Sequence, residues 1–341
     1  MIITKIRQIK VAKFVILQSI SSLIIMDFTT KVPISKSKFP IDYHSKILSF
    51  GSCFAENMAS KFDYYKFQNS CNPFGILFHP LAIENSISRI INLELFEEKE
   101  FFFNNERWHN FELHSDLSKP DKESLLKEIN ELLIVANKQI KEATHCIITY
   151  GTSWVYRNKE SNKLVANCHK LPASNFTKRL LSIKEISDAL HTVISRLNKI
   201  NPFLKIVFTV SPVRHLRDGI VENSRSKACL IEACHQVVDT ALTATYFPAY
   251  EIVMDELRDY RFFERDGAHP TEFAIDIVFD KLQRALFTES LTKVFNEVAQ
   301  IRRMENHRFS EESNADAMDK HRQSIAKRKH DLDELHPVRW R

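Results

Sequence analysis

Glycine is scarce in this chain: five among 341 residues, where about 7% is usual. Neither a G-x-x-x-x-G-K-[ST] nor a G-x-G-x-x-G pattern occurs, so the P-loop and dinucleotide fingerprints are excluded. The G-x-S-x-G turn of α/β-hydrolases is missing as well. Six cysteines (53, 71, 146, 168, 229 and 234) form no C-x-x-C pair. That spacing gives neither a zinc ribbon nor a disulfide framework, and free thiols are expected. Charge of one sign is also lacking. The formal +5 comes largely from Lys5, Arg7, Lys10 and Lys13, which stand without an acid in residues 1–25 and leave 44 basic against 43 acidic residues elsewhere. A near-neutral body without a basic stripe gives no electrostatic ground for nucleic-acid binding.

Residues 14–26, FVILQSISSLIIM, imitate a signal sequence, but Gln18, Ser19, Ser21 and Ser22 interrupt the run and no A-x-A-like cleavage site follows. The run is too short and polar to span a bilayer. We therefore expect a cytoplasmic protein without stable membrane insertion, secretion through residues 1–25 being the weaker alternative. Met26 opens a more ordinary sequence. Residues 1–27 are read as an extension, first as a wrongly extended start and second as a packed or disordered segment.

What is present is an ordinary globular composition, 44% hydrophobic and 27% charged. Apolar runs and helical periodicities alternate through five units. Ile47–Phe50 reads as a strand stopped by Gly51 and followed by a helix with Phe54, Met58 and Phe62 on one side. A second strand falls near 65–69, before Asn72-Pro73-Phe74-Gly75, and a helix starts at Pro80. Residues 101–114 read as a hairpin or an edge insertion around Asn104-Asn105. A long helix carrying Ile129, Leu133, Ala136 and Ile140 leads to the strand Cys146–Tyr150, closed by Gly151. Then come a hairpin-like stretch at 154–168, a capping-box helix from Ser182, the strand Ile206–Val210, a helix over roughly 224–244, a strand near 250–254 and a helix from Thr271. Such alternation predicts a three-layer α/β/α sandwich around a mostly parallel five-stranded sheet, with small hairpin insertions and a C-terminal helix. Residues 296–341 mix ten cationic with nine anionic residues and read as a solvated helix and loose tail.

In such a sheet, reacting groups collect beyond the carboxyl ends of the strands. Gly51-Ser52, Gly75, Gly151-Thr152-Ser153, Ser211 and Asp266 with His269 all fall there, and with them four of the five glycines. Ser52 stands where a helix N-terminus would favour developing negative charge; it fits equally as a plain helix cap. Asp266 could hold one ring nitrogen of His269 so that the other deprotonates Ser52. In a chain with 14 histidines, that Asp-x-x-His spacing is also open to chance.

Gly51-Ser-Cys-Phe-Ala55 resembles the signature of GSCFA-domain proteins, which are similar to the SGNH/GDSL hydrolase superfamily. The likeness continues through Asn72-Pro-Phe-Gly-Ile76, Thr149-Tyr-Gly-Thr-Ser-Trp154, Asn167-Cys-His169, Thr209-Val-Ser-Pro-Val213, Ser226-Lys227, Tyr246-Phe-Pro-Ala-Tyr-Glu-Ile252 and Asp266-Gly-Ala-His-Pro270. It implies a hydrolase domain over 28–290, followed by a charged helix and tail over 291–341. It also implies an SGNH-type serine esterase or acyl hydrolase, or an acyltransferase, acting on a small-molecule or glycan ester without cofactor or metal. By this resemblance Ser52, Asp266 and His269 are the catalytic residues. Gly75, Asn72, Gly151, Ser153 and His169 would serve the oxyanion and the substrate, although Ser153 stands where the superfamily has Asn, which leaves the second oxyanion donor open. Cys53, next to Ser52, is expected to be a buried bystander. The alternative is a glycan- or acyl-group-binding protein with a degenerate site; a third reading makes the C-terminal helix an assembly module. Oligomeric state is not legible.

Overall fold

The computed structural model describes residues 30–307, 315–336, Val338 and Trp340; the expected extension over 1–27 lies outside the described residues. The main sheet contains β1 (Lys46–Gly51), β2 (Gln68–Cys71), β5 (His145–Tyr150), β9 (Lys205–Val210) and β10 (Ala244–Phe247) in the order β10-β9-β5-β1-β2. All four pairings are parallel. Strand β5 is buried along its whole length, because a strand covered on both faces must be apolar on both. Its side chains alternate between two cores. Cys146 and Ile148 meet one layer, formed by α2 (Pro80–Asn92), α3 (Lys122–Glu142), α4 (Ile183–Ile200) and α5 (Ile220–Val238). Ile147 meets the other, formed by α1 (Cys53–Tyr64), α6 (Glu272–Leu286) and α7 (Leu291–Glu305). The three-layer sandwich is thus the observed fold.

The second core is aromatic. Phe62 of α1 lies 5.6 Å from Phe279 of α6, and Phe287 lies 5.4 Å from Phe295 of α7. Burying a phenylalanine of this kind contributes about 1.5–3 kcal/mol. This packing shows that 296–341 is less solvated than its charge implied: Val298 and Ile301 are buried, as are Leu332 of α8 (Ala315–Leu335) and Val338.

Other differences from the sequence reading have local causes. The last strand is Ala244–Phe247, and 249–256 is helical with a π-turned stretch. Pro248 ends the strand, having no N–H to give the ladder. The buried Ile252 and Val253 imitated a strand because a short apolar run carries no period of its own. Helix α5 occupies 220–238 and not 224–244. Strand β2 is a polar edge, Gln-Asn-Ser-Cys, that starts three and ends two residues later than expected; an edge strand needs no continuous apolar run.

Two insertions depart from the sandwich, one between α2 and α3 and one after β5. One contains the hairpin of β3 (Phe102–Asn104) and β4 (Arg107–His109), turned by Asn105 and Glu106 at φ 46° and 60°, as the paired asparagines led us to expect. The other is a three-stranded antiparallel sheet of β6 (Trp154–Asn158), β7 (Leu164–Val165) and β8 (Phe176–Leu180). The charged β8 gave no strand signal in the sequence.

Strand order makes the boundary between β1 and β5 the switch point, since the connections from these strands leave in opposite directions and open a crevice above their ends. Gly51 closes β1 there with φ 137°, and a Cβ on it would stand 2.1 Å from the Thr149 carbonyl oxygen of β5. Gly51→Ala is therefore expected to lose several kcal/mol in urea denaturation, about 1–3 for the backbone region and about 1–3 for the overlap. Wild-type stability in that variant would mean the turn tolerates a side chain.

Candidate active site

Ser52 follows Gly51 at the N-cap of α1. Its backbone N–H donates to Thr149 O at 3.1 Å, which ties the turn across the switch point to β5. A serine here ordinarily spends its hydroxyl on the helix's free N–H groups. Ser52 does not: its side chain makes no capping hydrogen bond, and Oγ is buried without any hydrogen-bond partner. The residue is 1% exposed.

Asn72 braces this turn. Its Oδ1 accepts the Gly51 N–H at 2.7 Å and its Nδ2 donates to Glu56 at 3.2 Å. Leu77 N–H reaches Gly51 O at 3.0 Å, and the Gly75 N–H donates to Asn72 O at 2.8 Å. Gly151 N–H donates to Phe78 O at 2.8 Å. Ser153, at the expected Asn position, is fully buried: its N–H reaches Ser226 Oγ at 2.7 Å and its hydroxyl donates to Ser226 O at 3.0 Å. The donors of Gly75, Asn72, Gly151 and Ser153 are thus engaged in holding the loops in place. His169 stands in a separate cluster. Its Nε2 meets Asn110 O at 2.7 Å and its Nδ1 meets Ser115 Oγ at 3.1 Å. Burial holds its pKa down at about 4, so it is a neutral histidine with both nitrogens occupied.

Asp266 and His269 lie on the loop before α6, where Thr271 caps the helix by accepting from Ala274 N–H. His269 Nδ1 is 2.6 Å from Asp266 Oδ2. The other carboxylate oxygen accepts the backbone N–H groups of Ala268 at 2.8 Å and His269 at 3.0 Å. The hydrogen bonds from His269 hold the Asp266 carboxyl down at about 2, so it remains an anion. Both side chains are half exposed. Arg214, from the loop after β9, secures this loop by donating from its backbone to Ala268 O at 3.1 Å and from its guanidinium to Gly267 O at 3.2 Å.

Ser52 and His269 share no hydrogen bond, and two basic residues that carry no role in the sequence reading stand against Gly151. His215 packs edge-on to Phe78 and its Nε2 would lie 3.2 Å from a Cβ on Gly151. That nitrogen is buried and unpartnered. Burial, then the charges of Lys227 and His269, keep the ring neutral with a pKa of about 4. Lys227 of α5 is fully buried; its Nζ donates to Gly151 O at 2.5 Å and to Ser211 O at 2.7 Å. A signal for it existed: Lys227 lies three and seven residues before the buried Leu230 and Cys234, so a cation occupies the apolar stripe of its helix. Cys53 is partly buried, and burial followed by Glu56 raises its thiol pKa; the thiol is therefore protonated beside Ser52.

A cavity of about 800 Å³ lies elsewhere, lined by Lys46, Gln68, Ser70, Gln139 and Arg302 among others, and shares no residue with this site. Among the described residues no helix is long and apolar enough to cross a membrane, and no group of three or more His, Cys, Asp or Glu could hold a metal.

Among solved structures, the chain is similar to the psychrotrophic esterase EstA from Pseudoalteromonas sp., in a form inhibited by monoethylphosphonate. That match has 12% identity and a TM-score of 0.32, covering 74% of this chain and 99% of that one. It is also similar to a carbohydrate esterase family 3 structure from Talaromyces cellulolyticus, at 8% identity and a TM-score of 0.31, covering 74% and 99% of the two chains. No curated protein matches significantly by sequence. The model of the GSCFA family matches residues 46–282, a span that contains the Ser52 turn, Lys227 and the Asp266–His269 loop, and the chain belongs to the GSCFA family.

Proposed function

We propose that this protein hydrolyses esters through an acyl-enzyme on Ser52. The observation that carries this reading is the Ser52 hydroxyl itself, buried at a helix N-terminus above the sheet's switch point and bonded to nothing. A serine acting as an ordinary N-cap would accept an N–H of the first turn, and Ser52 does not. In the proposed reaction Oγ attacks the ester carbonyl and its proton passes to His269 Nε2, while Asp266 holds Nδ1–H. The C–O bond then breaks and the alcohol leaves with that proton. Water repeats the sequence to release the acid. The free N–H groups of the first turn of α1, with the positive end of its dipole, oppose the charge on the tetrahedral oxygen. The substrate is an acylated small molecule or glycan. One specific observation favours a second reading, a binding protein with a spent site: the donors of Gly75, Gly151 and Ser153 are already engaged.

A fluorophosphonate probe tests both. It is expected to label the wild type and Cys53→Ala but not Ser52→Ala, with iodoacetamide leaving aryl acetate hydrolysis intact. The protonated thiol is a poor nucleophile. Labelling that follows Cys53 would overturn the serine mechanism, and a folded wild type that takes no label supports the binding protein.

A further inference from the structure

Lys227 is an ionisable group taken wholly out of water beneath the ends of β5 and β9, within electrostatic reach of Cys53, the neighbour of Ser52, and the mechanism above does not use it. A buried ammonium is costly unless it is paired, yet no carboxylate contributes to its titration, and the one side chain that does is Cys53, itself held protonated by burial. Its two hydrogen bonds go to main-chain carbonyls on different strand ends, Gly151 O after β5 and Ser211 O after β9. An ammonium has three N–H groups, so one donor remains beyond these two. The helix segment that carries Lys227 is itself fastened to the β5 loop through Ser226, which bonds both the N–H and the hydroxyl of Ser153. The serine at the superfamily's Asn position thus fixes the lysine instead of facing substrate.

We propose that Lys227 is a positioning residue for the ester-hydrolase reading given above: it locks the β5 and β9 loops together and supplies the positive field that stabilises the anion formed at Ser52. The site then has one buried cation whose counter-charge arrives with the transition state. The groups facing it support this assignment. From α1 come the thiol of Cys53 and, beyond it, Glu56; from the loop after β9 comes neutral His215, itself influenced by Asp218. Tyr250 presents its ring 5.9 Å from Nζ. His269, paired with Asp266, influences His215 from the open side. None of these is a fixed anion in contact with Lys227. Burial lowers its pKa to about 7, so near neutrality it is poised to lose its charge in the empty site and to regain it when an oxyanion forms.

The test is the pH dependence of fluorophosphonate labelling at Ser52 in the wild type, Lys227→Arg and Lys227→Met. Wild-type labelling is expected to slow as pH rises through the lysine's titration. Lys227→Arg keeps its charge and loses that alkaline fall. Lys227→Met labels about 10²-fold more slowly, the scale on which electrostatic stabilisation of an oxyanion acts, and also shows no alkaline fall. A folded Lys227→Met that labels at the wild-type rate with the wild-type profile overturns the role of Lys227 and leaves the hydrolase reading standing. A wild type that never labels removes the hydrolase reading and this role with it.

If neither variant folds, lysine side-chain NMR of the wild type decides. The Lys227 titration is expected to move up by about one pH unit or more, a tenfold change in proton affinity, in the aged Ser52 adduct, whose phosphonyl group carries one anionic oxygen. Identical titration in the free and adduct forms overturns the proposal.

Discussion

Ser52→Ala is expected to lower turnover of an aryl acetate by on the order of 10⁴-fold or more, the scale on which removing a nucleophile acts, while leaving the thermal midpoint where it was. The second half follows from the hydroxyl's surroundings. A serine that caps a helix loses about 1 kcal/mol on truncation to alanine, but this side chain caps nothing and bonds to nothing. Removing an unpaired buried polar group relieves a desolvation cost, so the variant should be as stable as the wild type or slightly more so. Reactivity and stability therefore separate at this position. A variant that loses about 1 kcal/mol but keeps its turnover would identify Ser52 as a structural cap and end the hydrolase reading.

Asp266→Asn is expected to cut kcat by roughly 10²- to 10⁴-fold with KM little changed, because an amide facing Nδ1 stabilises neither the productive tautomer nor the imidazolium. The upper figure belongs to buried triads; this pair is half exposed, and solvent replaces part of what the carboxylate supplies. The amide oxygen can still accept the Ala268 and His269 N–H groups, so the loop should hold. Acid sensitivity has a definite sign. A carboxyl held down at about 2 in the folded protein contributes its stability fully above the unfolded value of about 3.9, and loses that contribution as pH falls toward its folded value. Activity lost in mild acid therefore does not report protonation of Asp266. Equal losses of activity and stability in Asp266→Asn would mark the residue as a loop support.

The parts of this molecule legible in sequence are those where local pattern and global fold agree. The strand at Ile47–Phe50, the stop at Gly51 and the helix after it appear together because a two-sided core demands an apolar run and the crossing at Thr149 demands a residue without Cβ. The Asp266–His269 pairing could be read because both partners lie on one loop three residues apart. Lys227 was harder: nothing within Ser-Arg-Ser-Lys separates a buried lysine from a solvated one until the stripe of α5 is laid against β5 and β9. His215 needed the same docking before its nitrogen could be placed beside Gly151. The strand at 244–247 was missed because Ile252 and Val253 outweighed it in hydrophobicity, while Pro248 carried the decisive signal.

His169 has a role that the engaged site does not suggest. Its ring bonds to Asn110 and Ser115, and its carbonyl accepts from Asn104. The segment preceding it, Ala166 and Asn167, donates two backbone N–H groups to Phe111 O. His79, which caps α2 through Nδ1, reaches the Val165 carbonyl with its other nitrogen. The hairpin insertion and the three-stranded insertion are therefore cross-linked into one wall, fastened to the sandwich at the start of α2, at Phe74 and at α5, and among the described residues it shares no hydrogen bond with the side chains of Ser52, Asp266 or His269. Exchanging one insertion for that of a relative would leave the other's carbonyls and histidines unmatched. Exchanging both together, residues 101–118 with 154–180, transfers a whole wall and leaves β5 and the reacting groups in place. The two insertions are thus one mechanical unit, built apart from the turn that holds Ser52 and from the Asp266–His269 loop.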